Sequence, residues 1–136
     1  MTWIFCIDEQ GGMMFFGRRQ SQDRLLRAWL LERIGGDPLW MSTYSAKLFA
    51  DAPTVIADDA YMEKAARGDH ILVEDGPYDL CLADEVLLCH WNRHYPADRY
   101  LDMATLHADF ERVALEELAG SSHEKITVET YRRKKT

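Results

Sequence analysis

The chain has 136 residues, enough for one domain with its own core and too few for two. Its 23 acidic and 16 basic side chains give a formal net charge of -7, which speaks against DNA or RNA as the main partner, since phosphate recognition needs a concentrated basic face. No apolar run approaches the ~20 residues of a membrane span, and Met1–Asp8 lacks the basic start of a signal peptide, so neither a membrane partner nor a leader is expected.

Trp3 to Ile7 is a nearly continuous apolar run closed by Asp8-Glu9, the pattern of a buried strand. Gly11-Gly12 breaks the chain, Met13 to Phe16 is apolar, and Gly17-Arg18-Arg19-Gln20 reads as a polar loop. Ser21 is a good N-cap with Asp23 in the first turn, and Leu25, Leu26, Trp29, Leu30 and Ile34 repeat at helical spacing up to Gly35-Gly36-Asp37-Pro38. Leu39-Trp40-Met41 is a short strand, and Ser42 or Thr43 caps a short helix carrying Ala46, Leu48 and Phe49. Pro53 to Ala57 is a further β run. Asp58-Asp59 are expected to cap a helix through Ala66, with Gly68 as its stop. His70 to Val73 is a strand that runs into Glu74-Asp75-Gly76-Pro77, and Glu85 to Trp91 carries the strongest strand signal.

A loop with Asn92, Pro96 and Asp98 follows. Phe110 to Glu117 and Lys125 to Tyr131 look like a hairpin, the second arm alternating between two faces as an edge-type strand does. The basic cluster Arg132 to Lys135 reads as a solvated tail. Cys6, Cys81 and Cys89 are odd in number and sit among apolar residues, which predicts buried free thiols, no metal pattern and a reducing cytoplasm. Early alternation of β and α, then mostly β, predicts one domain over 1–136 with a mostly parallel sheet finished by an antiparallel hairpin.

That order of elements resembles the dihydrofolate reductase family. The opening strand followed by Asp8-Glu9-Gln10-Gly11-Gly12-Met13-Met14 is similar to the family's first strand and active-site loop. Gly17 stands where the family has a glycine two residues before a Pro-Trp pair, and Asp23 precedes Leu26 and Trp29-Leu30 as the family's lone acid precedes an apolar helix face. Leu39-Trp40-Met41-Ser42-Thr43-Tyr44 resembles V-x-M-G-R-x-T, and Ala83-Asp84-Glu85-Val86-Leu87-Leu88 resembles A-D-E-L-x-L-T. The segment from Ser121 to Arg133 resembles the closing strand that ends in Y-x-R.

The resemblance implies a three-layer α/β fold with a mixed, mostly parallel sheet, and a carboxylate at Asp23 that grips the amidine-like edge of a pterin. The departures bear on the cofactor. Arg19-Gln20 replaces the Pro-Trp pair, and Ser42-Thr43 replaces the Gly-Arg whose arginine would hold a 2'-phosphate. Glu74-Asp75, ahead of Gly76, replaces the glycine pair that lets backbone approach a pyrophosphate. A like charge at ~4 Å costs roughly 1 kcal/mol in water and about 4 in a partly buried cleft. No cofactor is therefore expected, with NADPH kept for an alternative reading.

Asp23 reads either as that ligand carboxylate or as a first-turn acid that complements the helix dipole, the commoner role of such acids. Arg18 and Arg19 read either as an anion-binding pair at a cleft mouth or as a solvated loop. His90 to Asp98 follows the strongest strand at its C-terminal end, where open α/β sheets bind ligands, so Trp91, Asn92 and Tyr95 join Trp29 as candidate pocket residues. Ser121 to Lys125 brings Ser, His and Glu close together, but adjacent hairpin residues face opposite ways, which speaks against a nucleophile-base pair within this segment and for a turn held by serine side chains. Three functions stay open. One is a monomeric or homodimeric domain that binds a small pterin-, pyrimidine- or nucleotide-like heterocycle without ordinary NADPH-dependent catalysis. Another is an NADPH-dependent reductase of such a substrate, and the third is a structural or interaction subunit.

Overall fold

A computed structural model describes residues 1–135. Strand β1 (Thr2–Ile7) leads through Gly11 into β2 (Gly12–Phe15), which a tight turn joins to β3 (Arg18–Arg19). The turn residues Phe16 and Gly17 have φ of 51° and 69°, positive at both positions as a type I′ hairpin turn requires. Helix α1 (Arg24–Ile34) precedes β4 (Leu39–Met41) and α2 (Thr43–Ala46), which continues as a 3-10 turn over Lys47–Phe49. Then come β5 (Val55–Ala57), α3 (Tyr61–Lys64), β6 (His70–Val73), a 3-10 turn at Leu80–Leu82, and β7 (Glu85–His90). Strand β8 (Arg99–Tyr100), helix α4 (Met103–Asp109), β9 (Phe110–Leu118) and β10 (Ile126–Arg133) complete the described chain.

Seven strands form the main sheet in the order β5-β4-β6-β1-β7-β10-β9, and β3-β2-β8 form a second, antiparallel one. The five strands from β5 to β7 run parallel, and β10 and β9 add the antiparallel finish. Burial on both faces explains the apolar runs in β1 and β7. Trp3, Phe5, Val86 and Leu88 belong to the core cluster that also holds Met13, Met14 and Leu106, while Ile4, Leu87 and Cys89 belong to the cluster under α1. In α1, Leu26, Leu30 and Ile34 recur every four residues and make one buried stripe. Each such side chain contributes on the order of 1.5–3 kcal/mol on burial. Strand β9 lies at the edge, and all but its ends is exposed.

Several local features differ from what the sequence pattern predicts. Asp23, not Ser21, is the N-cap of α1, because its carboxylate reaches the Leu25 and Leu26 N–H groups. Helix α3 spans only four residues, and Asp58 instead bonds the Ala60 N–H and Lys64. The Arg18–Arg19 loop is the return arm of a hairpin. Residues 99–109, which carry no clear periodicity in the sequence, contain β8 and α4. Cys81 is exposed, Cys6 half-buried and Cys89 buried. Arg133 is no solvated tail: it caps the Leu80 and Ala83 carbonyls and lies 4.6 Å from the Phe110 ring centre. No helix among the described residues is long and apolar enough to cross a membrane.

Candidate functional site

Parallel strands end together, so the residues that follow them share one end of the sheet. Here these are Asp8 after β1, Ser42 after β4, Asp58 after β5, Glu74 after β6 and Trp91 after β7. Asp8 is buried and accepts from the Gln10, Gly12 and Tyr95 N–H groups at 2.9, 2.8 and 3.1 Å. Burial alone would raise its pKa, but these bonds outweigh it and hold the carboxyl below its ordinary value. The result ties the loop after β1 to the loop after β7.

Asp23 anchors the second cluster. Its Oδ1 accepts from Leu25 N, Leu26 N and Ser121 N at 3.0, 3.1 and 3.0 Å, and from Ser121 Oγ. Its Oδ2 accepts from Ser122 N at 2.8 Å and faces His123 Nδ1 at 3.0 Å. An ionised carboxylate offers about four lone-pair sites, and all of them are taken up within the chain. The edge expected to face a ligand faces the α1 N-terminus and the 121–123 turn instead. Burial pushes this carboxyl up, but the His123 and backbone bonds prevail and hold it well below the ordinary range.

An acceptor-only carboxylate orients the histidine: Nδ1 donates to Asp23, which turns Nε2 the other way. Nε2 lies 2.9 Å from Ser21 Oγ and 3.2 Å from the Tyr95 hydroxyl. The imidazole stacks on Trp91, with centroids 4.6 Å apart and planes 22° from parallel. Asp23 and His123 are buried, while Ser21 and Tyr95 are half-buried. The sequence reading assigned His123 to a turn, since its local neighbours offered it no partner. Asp23 and Ser21 lie 100 and 102 residues upstream, and Tyr95 and Trp91 belong to the segment after β7.

The third cluster follows β6. Arg19 grips the Glu74 carboxylate through Nε and Nη2 at 3.1–3.3 Å, and Ser45 Oγ donates to it at 2.7 Å. Arg19 also lies over the Tyr44 ring at 4.3 Å. Arg99, unmarked in the sequence, donates to the Glu74 and Gly76 carbonyls at 2.8 and 2.6 Å. Ser42 Oγ donates to Asp75 at 2.6 Å, and Thr43 bonds Asp59 rather than facing the turn. Two carboxylates and two arginines thus close the turn that would be open with a glycine pair at 74–75.

The candidate ligand residues separate into groups. Arg18, Arg19 and Tyr95 line one open groove of about 560 Å³ with Phe15, Phe16 and Pro96. Trp91 and Asp23 line a narrow apolar cleft with Ser21, Leu26, Leu48 and Glu74, whose cavity of about 30 Å³ has room for about one or two waters. Asn92 points away, donating to Lys125 O and Thr127 Oγ1, and Trp29 lies beside Arg33 and Glu116 on the outer face. Among the described residues, no group of three or more His, Cys, Asp or Glu side chains is placed to hold a metal ion.

A structure of dihydrofolate reductase from Enterococcus faecalis, solved with NADP(H) and RAB-propyl, superposes with a TM-score of 0.61 over 98% of this chain and 96% of that one. The chain has the dihydrofolate reductase-like fold. Identity is 14%, so the likeness concerns the fold, with this chain a divergent version of it. No family model matches the sequence, and no curated protein does. Relative to the reductase fold, the three clusters occupy the strand-end face, where such a sheet gathers its loops.

Proposed function

We propose that this chain is a binding domain for a small, flat heterocycle, and that it does not carry out ordinary NADPH-dependent reduction. The observation that carries the second half is the closed turn after β6. Glu74, bound by Arg19 and Ser45, and Asp75, bound by Ser42, fill with side chains the turn where a glycine pair would let backbone approach a pyrophosphate. With Thr43 engaged by Asp59, no arginine follows Met41 to meet a 2'-phosphate. The residues present do not fit the dinucleotide.

The groove between the β2–β3 turn and the loop after β7 supports the first half. Its volume suits a small ligand. Phe16 is 80% exposed and packs against Phe15 at 4.4 Å between centroids, a face on which an aromatic ring stacks. Arg18 makes no ion pair among the described residues, so its guanidinium is available to an acidic substituent. A pterin, pyrimidine or nucleotide-like molecule combines these features. The same proposal places the protein in the cytoplasm, where its three free thiols stay reduced.

A second reading, reduction of a pterin- or pyrimidine-like substrate with NADPH, draws on the fold likeness to a reductase solved with NADP(H). A thermal-shift screen with NADPH, pterins and mononucleotides separates the two. A ligand at about 100 times its Kd raises stability by ~2.7 kcal/mol. We expect a pterin or mononucleotide to raise the Tm, and Phe16→Ala with Arg18→Ala to abolish the rise. A rise with NADPH alone favours the reductase, and no rise with any of them removes the binding proposal.

A further inference from the structure

We propose that Ser21, His123 and Asp23 form a serine-nucleophile relay at the rim of the narrow cleft, and that it hydrolyses esters of short acyl groups. The proposal does not depend on the heterocycle groove. Three roles must be met in series: an orienting carboxylate, a base with its free nitrogen on the nucleophile, and an accessible hydroxyl. Asp23 Oδ2 to His123 Nδ1 is 3.0 Å, and His123 Nε2 to Ser21 Oγ is 2.9 Å. Both links fall within hydrogen-bond reach without rearrangement.

The surroundings suit the task as well as the distances do. Asp23 is immobilised by four backbone N–H groups, two from α1 and two from the 121–122 turn. Trp91 covers one face of the imidazole. The histidine therefore has one orientation, and its Nε2 points towards the half-buried Ser21. A histidine needed only to tie the hairpin turn to α1 has its purpose met by the Asp23 bond, and nothing in that role calls for a partly exposed serine on its other nitrogen.

The step balances without any co-reactant but water. Ser21 Oγ attacks the ester carbonyl carbon as its proton moves to Nε2. The tetrahedral intermediate collapses, the C–O bond to the alcohol breaks, and the leaving oxygen takes the proton from Nε2. Water then repeats the sequence on the acyl-serine and releases the acid. The developing oxyanion needs donors. The Tyr95 hydroxyl is 3.4 Å from Ser21 Oγ, and the Gln22 N–H, next in the chain to Ser21, donates to no group among the described residues. The acyl chain would enter between Leu26, Leu48 and Trp91, where the small cavity limits it to about two or three carbons.

The test uses the full chain with p-nitrophenyl acetate, p-nitrophenyl octanoate and a small fluorophosphonate. We expect acetate ester turnover, a much slower octanoate reaction, and a phosphonyl adduct that peptide mass spectrometry places on Ser21. Ser21→Ala, with its Tm unchanged within a few degrees, should lose the adduct and at least ~100-fold of the rate. Tyr95→Phe, which keeps the ring packing, should lower the acetate rate by about tenfold or more through kcat and not KM. Rates equal in wild type and folded Ser21→Ala, or an adduct elsewhere, would overturn the proposal. So would a wild-type protein that neither turns over the acetate nor takes the label.

Discussion

Asp23 and Glu74 are both carboxylates at the strand-end face, and they are held in different ways. Four of the donors to Asp23 are backbone N–H groups fixed by a helix start and a tight turn, and a fifth is a buried histidine. Glu74 is held by the side chains of Arg19 and Ser45. A backbone donor cannot leave when its acceptor is removed, whereas an arginine on a hairpin arm can swing to water. The first carboxylate is therefore part of the frame, and the second is a plug set into the cleft. Similar chemistry should give unequal losses on mutation.

The largest effect is expected at Asp23. Asp23→Ala strips an N-cap and leaves buried donors unpaired, which should cost about 3–5 kcal/mol by urea denaturation. A loss below about 1 kcal/mol would place the frame elsewhere. Acid sharpens the point. The folded carboxyl lies below its ordinary value of 3.8, so its contribution is complete above that value and fades as pH falls towards the folded one. Wild type and variant should therefore converge in stability below about pH 4. Asp8, Asp84 and Glu129 are also held low and add to the acid loss in both proteins, which is why the difference is the useful quantity.

Gly120→Ala attacks the same frame from outside. An added Cβ would sit 2.4 Å from Asp23 Oδ2 and 2.8 Å from the His123 carbonyl oxygen. One of them must move, at a cost of about 2 kcal/mol or more in the urea midpoint. At the plug, Glu74→Ala should cost only about 1–2 kcal/mol, since Arg19 can turn to water and Ser45 keeps the Ser42 hydroxyl as a neighbour. A loss equal to that of Asp23→Ala would erase the distinction. Smallest and opposite in sign is Phe16→Asn. It relieves a bulky residue at positive φ and supplies an Asn-Gly type I′ turn, worth about 0.5–1 kcal/mol of added stability. A lower Tm would show that the exposed ring contributes to the fold.

These two carboxylates also mark how far the sequence could be read. The fold was legible because β1 and β7 announce themselves as apolar runs, α1 repeats every four residues, and the last hairpin alternates. Helix α4 escaped because only Leu106 of its seven residues is buried, leaving little periodicity. Its cap, Asp102 bonded to Thr105, was the signal available. The Asp23–His123 pair joins positions 100 apart in sequence, and no local spacing encodes such a contact. Glu74 was noticed for its charge, but its arginine partner comes from a hairpin that the sequence presented as a loop. Local pattern reveals elements, whereas a site assembled from several loops requires the topology that places them side by side.

Calorimetric titration of NADPH into wild type and into Glu74→Gly with Asp75→Gly decides whether the closed turn after β6 excludes the dinucleotide. The account predicts no binding to wild type at ~100 µM cofactor, and weak binding, if any, only once the plug is removed. A Kd of about 1 µM or tighter for wild type, unchanged in the double variant, would contradict it.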